Sequence, residues 1–397
     1  MKFYDELKYR GLIDNISSVE LIDKLNNGGL TFYIGTDPTG DSLHIGHYCT
    51  VIALAKRFMD AGHNPIVLIG GGTGLVGDPR ATKERDIINK NTVLDNVDSL
   101  SKQIKKYLCV PVVNNYDWIK DISAIDFLRD YGKYFNVSYM LAKDTVKRRL
   151  DTGITYTEFS YMILQSLDFL HLYEEMGVSL QIGGSDQWGN LTSGLELIRK
   201  KHENAEVFAL TSPLVLRADG SKFGKSEDGK SLWLDEDKTS PYEFYQYLIN
   251  SEDEMVITYL KRLSFLSVEE IKSLEISLKE HPEERKAQKA LAYDVVKFLH
   301  GEESANKARD TSEAVFSGNL DNQDIDVVII DNKNINIIDA LISTSLCSSR
   351  SDARRLIEQG GIKVDGNTIN DVNEIIDLST SKVIKKGKKV FIRLEGR

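Results

Sequence analysis

The chain has 397 residues, of which 41% are hydrophobic, 28% charged and 9% aromatic, and its formal charge at pH 7 is −10. That length exceeds one ordinary domain, so two or three are expected; no stretch approaches the ~20 apolar residues of a membrane span, and an acidic balance does not advertise nucleic-acid binding outside local basic patches. Cys49, Cys109 and Cys347 are odd in number, far apart and without zinc spacing, which reads as reduced thiols; with no apolar signal core among the first residues, a cytoplasmic location is expected.

Residues 30–34 read as a strand and 45–59 as a mostly buried helix. Residues 65–69 form a second apolar run, closed by the cluster Gly70-Gly71-Gly72-Thr73-Gly74, and 178–182 form a later one, closed by Gly183-Gly184. Short continuous apolar strands separated by helices predict a Rossmann-like α/β domain with a parallel sheet covered on both faces. Ligands bind such sheets beyond the carboxyl ends of the strands, where these glycines and several polar residues fall. Beyond Ser240-Pro241 the pattern is helical; Ala287, Leu291, Val295 and Phe298 keep one apolar face, and Gly301 supplies a stop. Residues 317–334, rich in Asp and Asn, read as a linker. The remainder reads as a small α+β unit with two short helices, the second starting near Ser351 and stopping at Gly360-Gly361. A hairpin turning at Asp365-Gly366-Asn367 follows, and then a basic tail. The expected boundaries are 1–222 for the Rossmann-like domain, 223–318 for a helical domain, 319–334 for the linker and 335–397 for the last unit.

Two segments carry the sharpest chemical signal. His44 and His47 lie three apart where a helix begins, which puts both on one face. The helix entrance adds backbone N–H groups and a positive dipole for an anion, and Gly46 leaves room for a nucleotide. Far downstream, Lys222-Phe223-Gly224-Lys225-Ser226 sets two ammonium groups on a glycine-punctuated loop. Together they can grip the two sides of one ATP triphosphate, which points to attack on the α-phosphate with pyrophosphate leaving. Taken singly, each has a plainer reading: ordinary helix histidines or half a zinc site, and a solvated lysine loop. No Glu follows the first His and no Cys/His group completes four zinc ligands.

Residues 70–78 are glycine-dense but lack the Gly-Lys-Ser/Thr of a P-loop. Asp78 supplies a carboxylate suited to an ammonium group, and Lys83 and Arg85 follow within reach of phosphate or as an exposed charged turn. Tyr161, Gln165 and Asp168, at i, i+4 and i+7 of an otherwise apolar helix, form either a structural network or a pocket for a small polar ligand.

In order along nearly the whole chain, these segments resemble bacterial-type tyrosyl-tRNA synthetases, which are class I aminoacyl-tRNA synthetases. The likeness rests on Tyr33-Ile34-Gly35-Thr36-Asp37-Pro38-Thr39, the His44–His47 signature, Gly74-Leu75-Val76-Gly77-Asp78-Pro79 and Asn114-Asn115-Tyr116-Asp117-Trp118. It continues through Phe159-Ser160-Tyr161-Met162, Gln181-Ile182-Gly183-Gly184-Ser185-Asp186-Gln187-Trp188-Gly189-Asn190 and the Lys222 loop. The resemblance implies that Tyr33 and Asp168 hydrogen-bond a substrate phenol, and that Tyr161, Asp78 and Gln165 hold its ammonium. Thr39 and His44 would stabilise the γ-phosphate end of ATP. Gly35, Asp37, Gly46, Thr50, Gly184 and Asp186 fall on the ATP side, and His47 and Gln187 where nucleotide and substrate are positioned. Lys83, Arg85, Lys222 and Lys225 match the family's mobile-loop cations. The implied reaction is ATP-dependent tyrosine–tRNA ligation, with magnesium accompanying ATP, no prosthetic group and no dedicated metal cage.

The tail resembles a small RNA-binding domain shared with a ribosomal small-subunit protein, through Ser349-Arg350-Ser351-Asp352-Ala353-Arg354-Arg355 and Gly361-Ile362-Lys363-Val364-Asp365-Gly366. Arg350, Arg354 and Arg355 with Lys385, Lys386, Lys388 and Lys389 are its candidate phosphate contacts; a basic solubilising tail is the plainer alternative. The resemblance also implies tRNA(Tyr) and L-tyrosine as partners and a homodimer. The chain departs from the family at Ile34, where many members have a small residue, and at Arg80-Ala81, which replaces the usual Ser/Thr-Gly. Three rivals are weighed: a tryptophan-specific synthetase, disfavoured by Tyr33 with Asp168; a small-metabolite nucleotidyltransferase, disfavoured by the tail; and a non-catalytic RNA-binding protein, disfavoured by intact His44, His47, Lys222 and Lys225.

Overall fold

The computed structural model describes residues 1–78, 88–147, 149–151, 153–221, 223–224, 231–317, 327–344, 346–347, 349–387 and 390–397. They form two compact units, one of Met1–Thr239 with Ser251–Val295 and one of Ser240–Asn250 with Val296–Arg397.

The first unit is built on a six-stranded sheet: β1 (Asn15–Ile16), β2 (Thr31–Thr36), β3 (Asn64–Ile69), β4 (Val112–Asn114), β5 (Leu180–Gly184) and β6 (Phe208–Ser212), in the order β1-β6-β5-β2-β3-β4. β2 to β6 run parallel and β1 pairs antiparallel with β6 at the edge. β6 is buried along its whole length, and β3 everywhere except its first residue. That pattern is the signature of strands covered on both faces, as the apolar runs predict. The chain moves outward through β3 and β4 on one side of β2 and through β5 and β6 on the other. This reversal opens a crevice at the carboxyl ends of β2 and β5.

The helix predicted over 45–59 is present, with an interruption. Ile45–His47 begins it, a π-helical turn follows at Tyr48–Ile52, and Ala53–Asp60 completes it. The Tyr156–Met176 helix starts at Thr155, whose side chain accepts from the Glu158 amide, and ends at Gly177 in the left-handed region. Just inside its first turn, Glu158 (2% exposed) accepts from Nη1 and Nη2 of Arg149 (7% exposed) at 3.0 and 2.9 Å. This paired charge anchors the end of the helix from which Tyr161, Gln165 and Asp168 project. Gly301 supplies the stop the sequence predicts: within Lys286–Ser317 its φ of 87° and ψ of 168°, which glycine permits, are non-helical and separate two helices.

The second unit contains the Pro241–Ile249 helix, capped by a reciprocal Ser240–Glu243 box. Its C-terminal part has a five-stranded sheet, ordered β10-β9-β12-β13-β7, and a two-stranded one, β11-β8. The strands are β7 (Val327–Ile330), β8 (Asn334–Asn336), β9 (Ile362–Val364), β10 (Asn367–Thr368), β11 (Ile375–Asp377), β12 (Lys382–Lys386) and β13 (Val390–Gly396). Ile337, Leu341, Ile357, Ile362, Ile384 and Leu394 fill the space between these sheets and the helices Ile337–Ser343 and Arg350–Glu358. Asp365 and Gly366, both at positive φ, make the β9–β10 turn, as the sequence predicts. The stretch read as linker behaves differently. Its residues Val327–Ile330 form an edge strand parallel to β13, because the Val-Val-Ile-Ile run outweighs its polar flanks once a partner strand exists.

Candidate active site

Tyr33 on β2 and Asp168 on the Tyr156–Met176 helix line the floor of the crevice, exposed by 1% and 2%. Asp168 Oδ2 accepts from Asn115 Nδ2 at 2.9 Å and Oδ1 from Trp118 Nε1 at 3.0 Å. Burial pushes its carboxyl up to about 7; the two donors pull it down, and Asp37 pushes it further up. Burial, with the nearby Asp168 charge, also holds the Tyr33 phenol well above its ordinary value, so it is a hydroxyl donor at any physiological pH. Yet Tyr33 Oη has no hydrogen-bond partner among the described residues. A buried hydroxyl left in that state is costly unless a bound group completes it.

Above this floor lies a polar shelf. Asp37 accepts from Thr73 Oγ1 at 3.1 Å and from Tyr161 Oη at 3.4 Å. Asn115, fully buried, donates to Thr73 Oγ1 at 2.9 Å and accepts from the Gly72 amide at 2.6 Å. The glycine cluster is required by this crowding: a Cβ on Gly70 would stand 2.3 Å from both Asp37 Oδ1 and Thr73 Oγ1. Asp78 accepts from Gln187 Nε2 at 2.8 Å and Asn190 Nδ2 at 3.2 Å, and Asn190 also donates to Gln187 Oε1 at 3.0 Å. Gln165 Oε1 is buried without a partner among the described residues. Gly35 is exposed on β2; Gly184 and exposed Asp186 sit at the end of β5.

The helix entrance brings the two histidines together. Their rings stack with centroids 3.9 Å apart. His44 Nδ1 accepts from the Gly46 amide at 3.0 Å, and His47 Nδ1 accepts from the His44 amide at 3.2 Å. An accepting Nδ1 puts the proton of a neutral imidazole on Nε2. Burial and the neighbouring His44 hold His47 down to about 3, so it is neutral at pH 7. Gly46 has a reason beyond ligand approach: a Cβ there would stand 2.7 Å from His44 Cε1. Thr50 Oγ1 donates to the Gly46 carbonyl at 3.0 Å, inside the π turn, and Thr39 is exposed on the loop after β2.

The base of the downstream loop is held at this same entrance. His44 bridges Trp233 in antiparallel fashion, the Ile45 amide donates to the Leu232 carbonyl at 2.9 Å, and the Leu232 amide donates to Gly224 at 3.1 Å. Gly224 has φ 99°, and a Cβ there would lie 2.2 Å from Ile45 Cγ2. Lys83, Arg85, Lys222 and Lys225 lie outside the described residues, as do Lys388 and Lys389.

In the second unit, Arg350 pairs with Asp339, and Arg355 with Asp352 at 2.7 Å, while Arg354 is exposed. Lys386 Nζ donates to the Leu346 carbonyl at 2.5 Å, and Lys385 stands opposite Lys363 across β12 and β9.

Sequence reasoning did not single out Thr73, Asn115, Trp118 or Asn190 as site residues. Asn115, Trp118 and Asn190 stand inside the motifs that carry the resemblance but without a role there, and Thr73 is marked by its place in the first turn after β3.

Two family models cover the chain: "tRNA synthetases class I (W and Y)" matches residues 25–317, and the tyrosine–tRNA ligase SYY-like C-terminal domain matches residues 319–394. The chain is 46% identical over 415 aligned residues to a tyrosine–tRNA ligase of Geobacillus stearothermophilus, an alignment covering 98% of this chain and 99% of the other. It is likewise 46% identical over 412 residues to a tyrosine–tRNA ligase of Limosilactobacillus reuteri, with the same coverage. Its fold is similar to the crystal structure of a C-terminally truncated mitochondrial tyrosyl-tRNA synthetase of Aspergillus nidulans. There the TM-score is 0.69 at 28% identity, over 79% of this chain and 94% of that one.

Proposed function

The chain belongs to the class I tyrosine–tRNA ligases, and from that premise we propose how its residues divide the reaction. The activity joins L-tyrosine to ATP as tyrosyl-adenylate with release of pyrophosphate, then passes the tyrosyl group to the 3′ end of tRNA(Tyr).

Tyr33 Oη donates to the substrate's phenol oxygen, and that phenol donates to Asp168. The observation that carries this assignment is the Tyr33 hydroxyl, buried beside Asp168 and without a partner among the described residues. A bound tyrosine completes it; phenylalanine, lacking the oxygen, leaves it as costly as before. Asp78, Tyr161 and Gln165 take the ammonium, and the unpartnered Gln165 Oε1 supports that role because an ammonium offers only donors. Gln187 steadies Asp78 and the substrate beside it.

ATP lies over Gly35, Asp37, Gly46, Thr50, Gly184 and Asp186, with its triphosphate toward the helix entrance. His44 and His47 act as Nε2–H donors, with Thr39 beside them, to phosphate oxygens whose charge grows as the bond breaks. The tyrosine carboxylate attacks the α-phosphorus, the bond from that phosphorus to the bridging oxygen breaks, and pyrophosphate leaves with the electron pair. Lys83, Arg85, Lys222 and Lys225 neutralise the departing charge. A terminal ribose hydroxyl of the tRNA then attacks the tyrosyl carbonyl carbon and AMP departs. No enzyme nucleophile is required; positioning and electrostatics lower the barrier. Magnesium travels on the ATP phosphates, and the described residues group no three His, Cys, Asp or Glu side chains as ligands.

Arg350, Arg354, Arg355, Lys385, Lys386, Lys388 and Lys389 contact tRNA phosphates, through a domain whose boundaries we place near 319 and 397. A homodimer is supported by Ile125, Leu128, Val137 and Tyr156, apolar side chains exposed by 68%, 53%, 60% and 66% within a short stretch. The tRNA substrate implies a cytoplasmic location; separately, no helix among the described residues is long and apolar enough to cross a membrane.

Tyr33→Phe tests the pocket. In pyrophosphate exchange it should raise KM for tyrosine by about tenfold and leave KM for ATP unchanged, while the relative use of phenylalanine increases. An unaltered preference for tyrosine would overturn the assignment.

A further inference from the structure

We propose that His171 is a positioning residue for amino-acid selection, its imidazole holding Trp118 so that the indole N–H stays on Asp168. The proposal rests on the reading of Asp168 as the acceptor of the substrate's phenol. His171 lies three residues after Asp168 on the Tyr156–Met176 helix, which puts the two side chains on one face. Its ring stacks on the Trp118 indole with centroids 4.3 Å apart and planes 20° from parallel. The same indole donates to Asp168 Oδ1 at 3.0 Å.

The two donors to Asp168 are held unequally. Asn115 is fully buried and fastened to Gly72 and Thr73 through its own amide. Trp118 is half-buried and stands on the single-turn helix Tyr116–Ile119, which contains no buried residue. Trp118 packs against the core cluster that contains Tyr33 and Phe169, but the turn that carries it has no buried anchor to restrain the rotation of the indole. The flat face of His171 supplies that restraint, since stacked rings resist the rotation that would swing the N–H off the carboxyl. Losing the bond would leave one oxygen of a buried carboxyl without its donor and blur the geometry that tells tyrosine from phenylalanine. His171 therefore acts through Trp118, and its effect belongs to tyrosine binding rather than to the phosphate chemistry.

The test is pyrophosphate exchange with four variants of the full-length chain: His171→Ala, His171→Gln, His171→Phe and Asp168→Asn. Ala and Gln remove the ring and should raise KM for tyrosine roughly two- to tenfold, the range a stacked pair supplies, with kcat and KM for ATP within twofold of the parent. Phe keeps a flat ring and should restore KM to within twofold. A KM for tyrosine unchanged in Gln, or raised as much in Phe as in Gln, overturns the proposal; Gln, of nearly the same bulk as histidine, is decisive even where Ala does not fold. Asp168→Asn separates the two layers. If it leaves tyrosine use intact, the pocket reading itself is wrong and the proposal falls with it. If it loses tyrosine while Gln at 171 does not, only the role of His171 is refuted.

Discussion

Tyr33 and Asp168 show how burial sets protonation one side chain at a time. Asp168, raised to about 7 against an ordinary 3.8, keeps its proton in the folded chain through a range where the unfolded chain has released it. The folded state thus binds more protons between about pH 4 and pH 7, and the contribution of Asp168 to stability falls as pH rises through that window. Asp168→Asn removes the slope. Its Tm relative to the parent should climb from pH 5 to pH 8, measured by thermal melts, while tyrosine activation falls at every pH; a flat Tm difference would mean that Asp168 titrates normally. At the helix entrance the controlling atom is one that is absent. Gly46→Ala would put a Cβ 2.7 Å from His44 Cε1, displacing the imidazole and its bond from the Gly46 amide. Adenylate formation should slow by on the order of tenfold to a hundredfold, the scale for loss of one preorganised donor, with KM for tyrosine little changed. Single-turnover kinetics would show this as a loss in the chemical step.

Among elements, the helix beginning at Ile45 does more than cover the sheet. It carries the stacked His44–His47 pair at its start, with the Ile45 and Gly46 amides bonded to the Leu232 carbonyl and His44 Nδ1, widens into a π turn at Tyr48–Ile52, a feature often found at functional sites, and gives Ile45 to the base of the Lys222–Lys225 loop. The base of the lysine loop is therefore tied to the histidine pair by backbone, through the Gly224, Leu232 and His44–Trp233 contacts. Gly224→Ala strikes that tie twice: φ is 99°, and the new Cβ would stand 2.2 Å from Ile45 Cγ2. A lower Tm and slower pyrophosphate exchange with normal tyrosine binding at equilibrium are expected. Wild-type exchange rates in a folded Gly224→Ala protein would show that the contact does not position the loop.

For the whole molecule, the C-terminal part has its own core of Ile337, Leu341, Ile357, Ile362, Ile384 and Leu394, so it folds around apolar residues of its own. Since β7 begins at Val327 and pairs with β13, a clean cut falls before it. Truncation after Ser317 should leave adenylate formation near normal and reduce tRNA charging severely; equal loss of both would mean that this part supports the fold of the rest. The sequence by itself determined the parallel sheet, through its continuous apolar runs. It also supplied the residue types of the proposed chemistry, since Tyr33, His44, His47, Asp78 and Asp168 stand in short ordered motifs whose spacing is local. Tertiary structure alone decided that Asn115 and Trp118 meet Asp168, that Gly224 rests on Ile45 and that residues 327–330 become a strand. Each of these depends on which distant surfaces the packed chain brings within a few ångströms, and neither helical nor strand periodicity encodes a partner dozens of residues away.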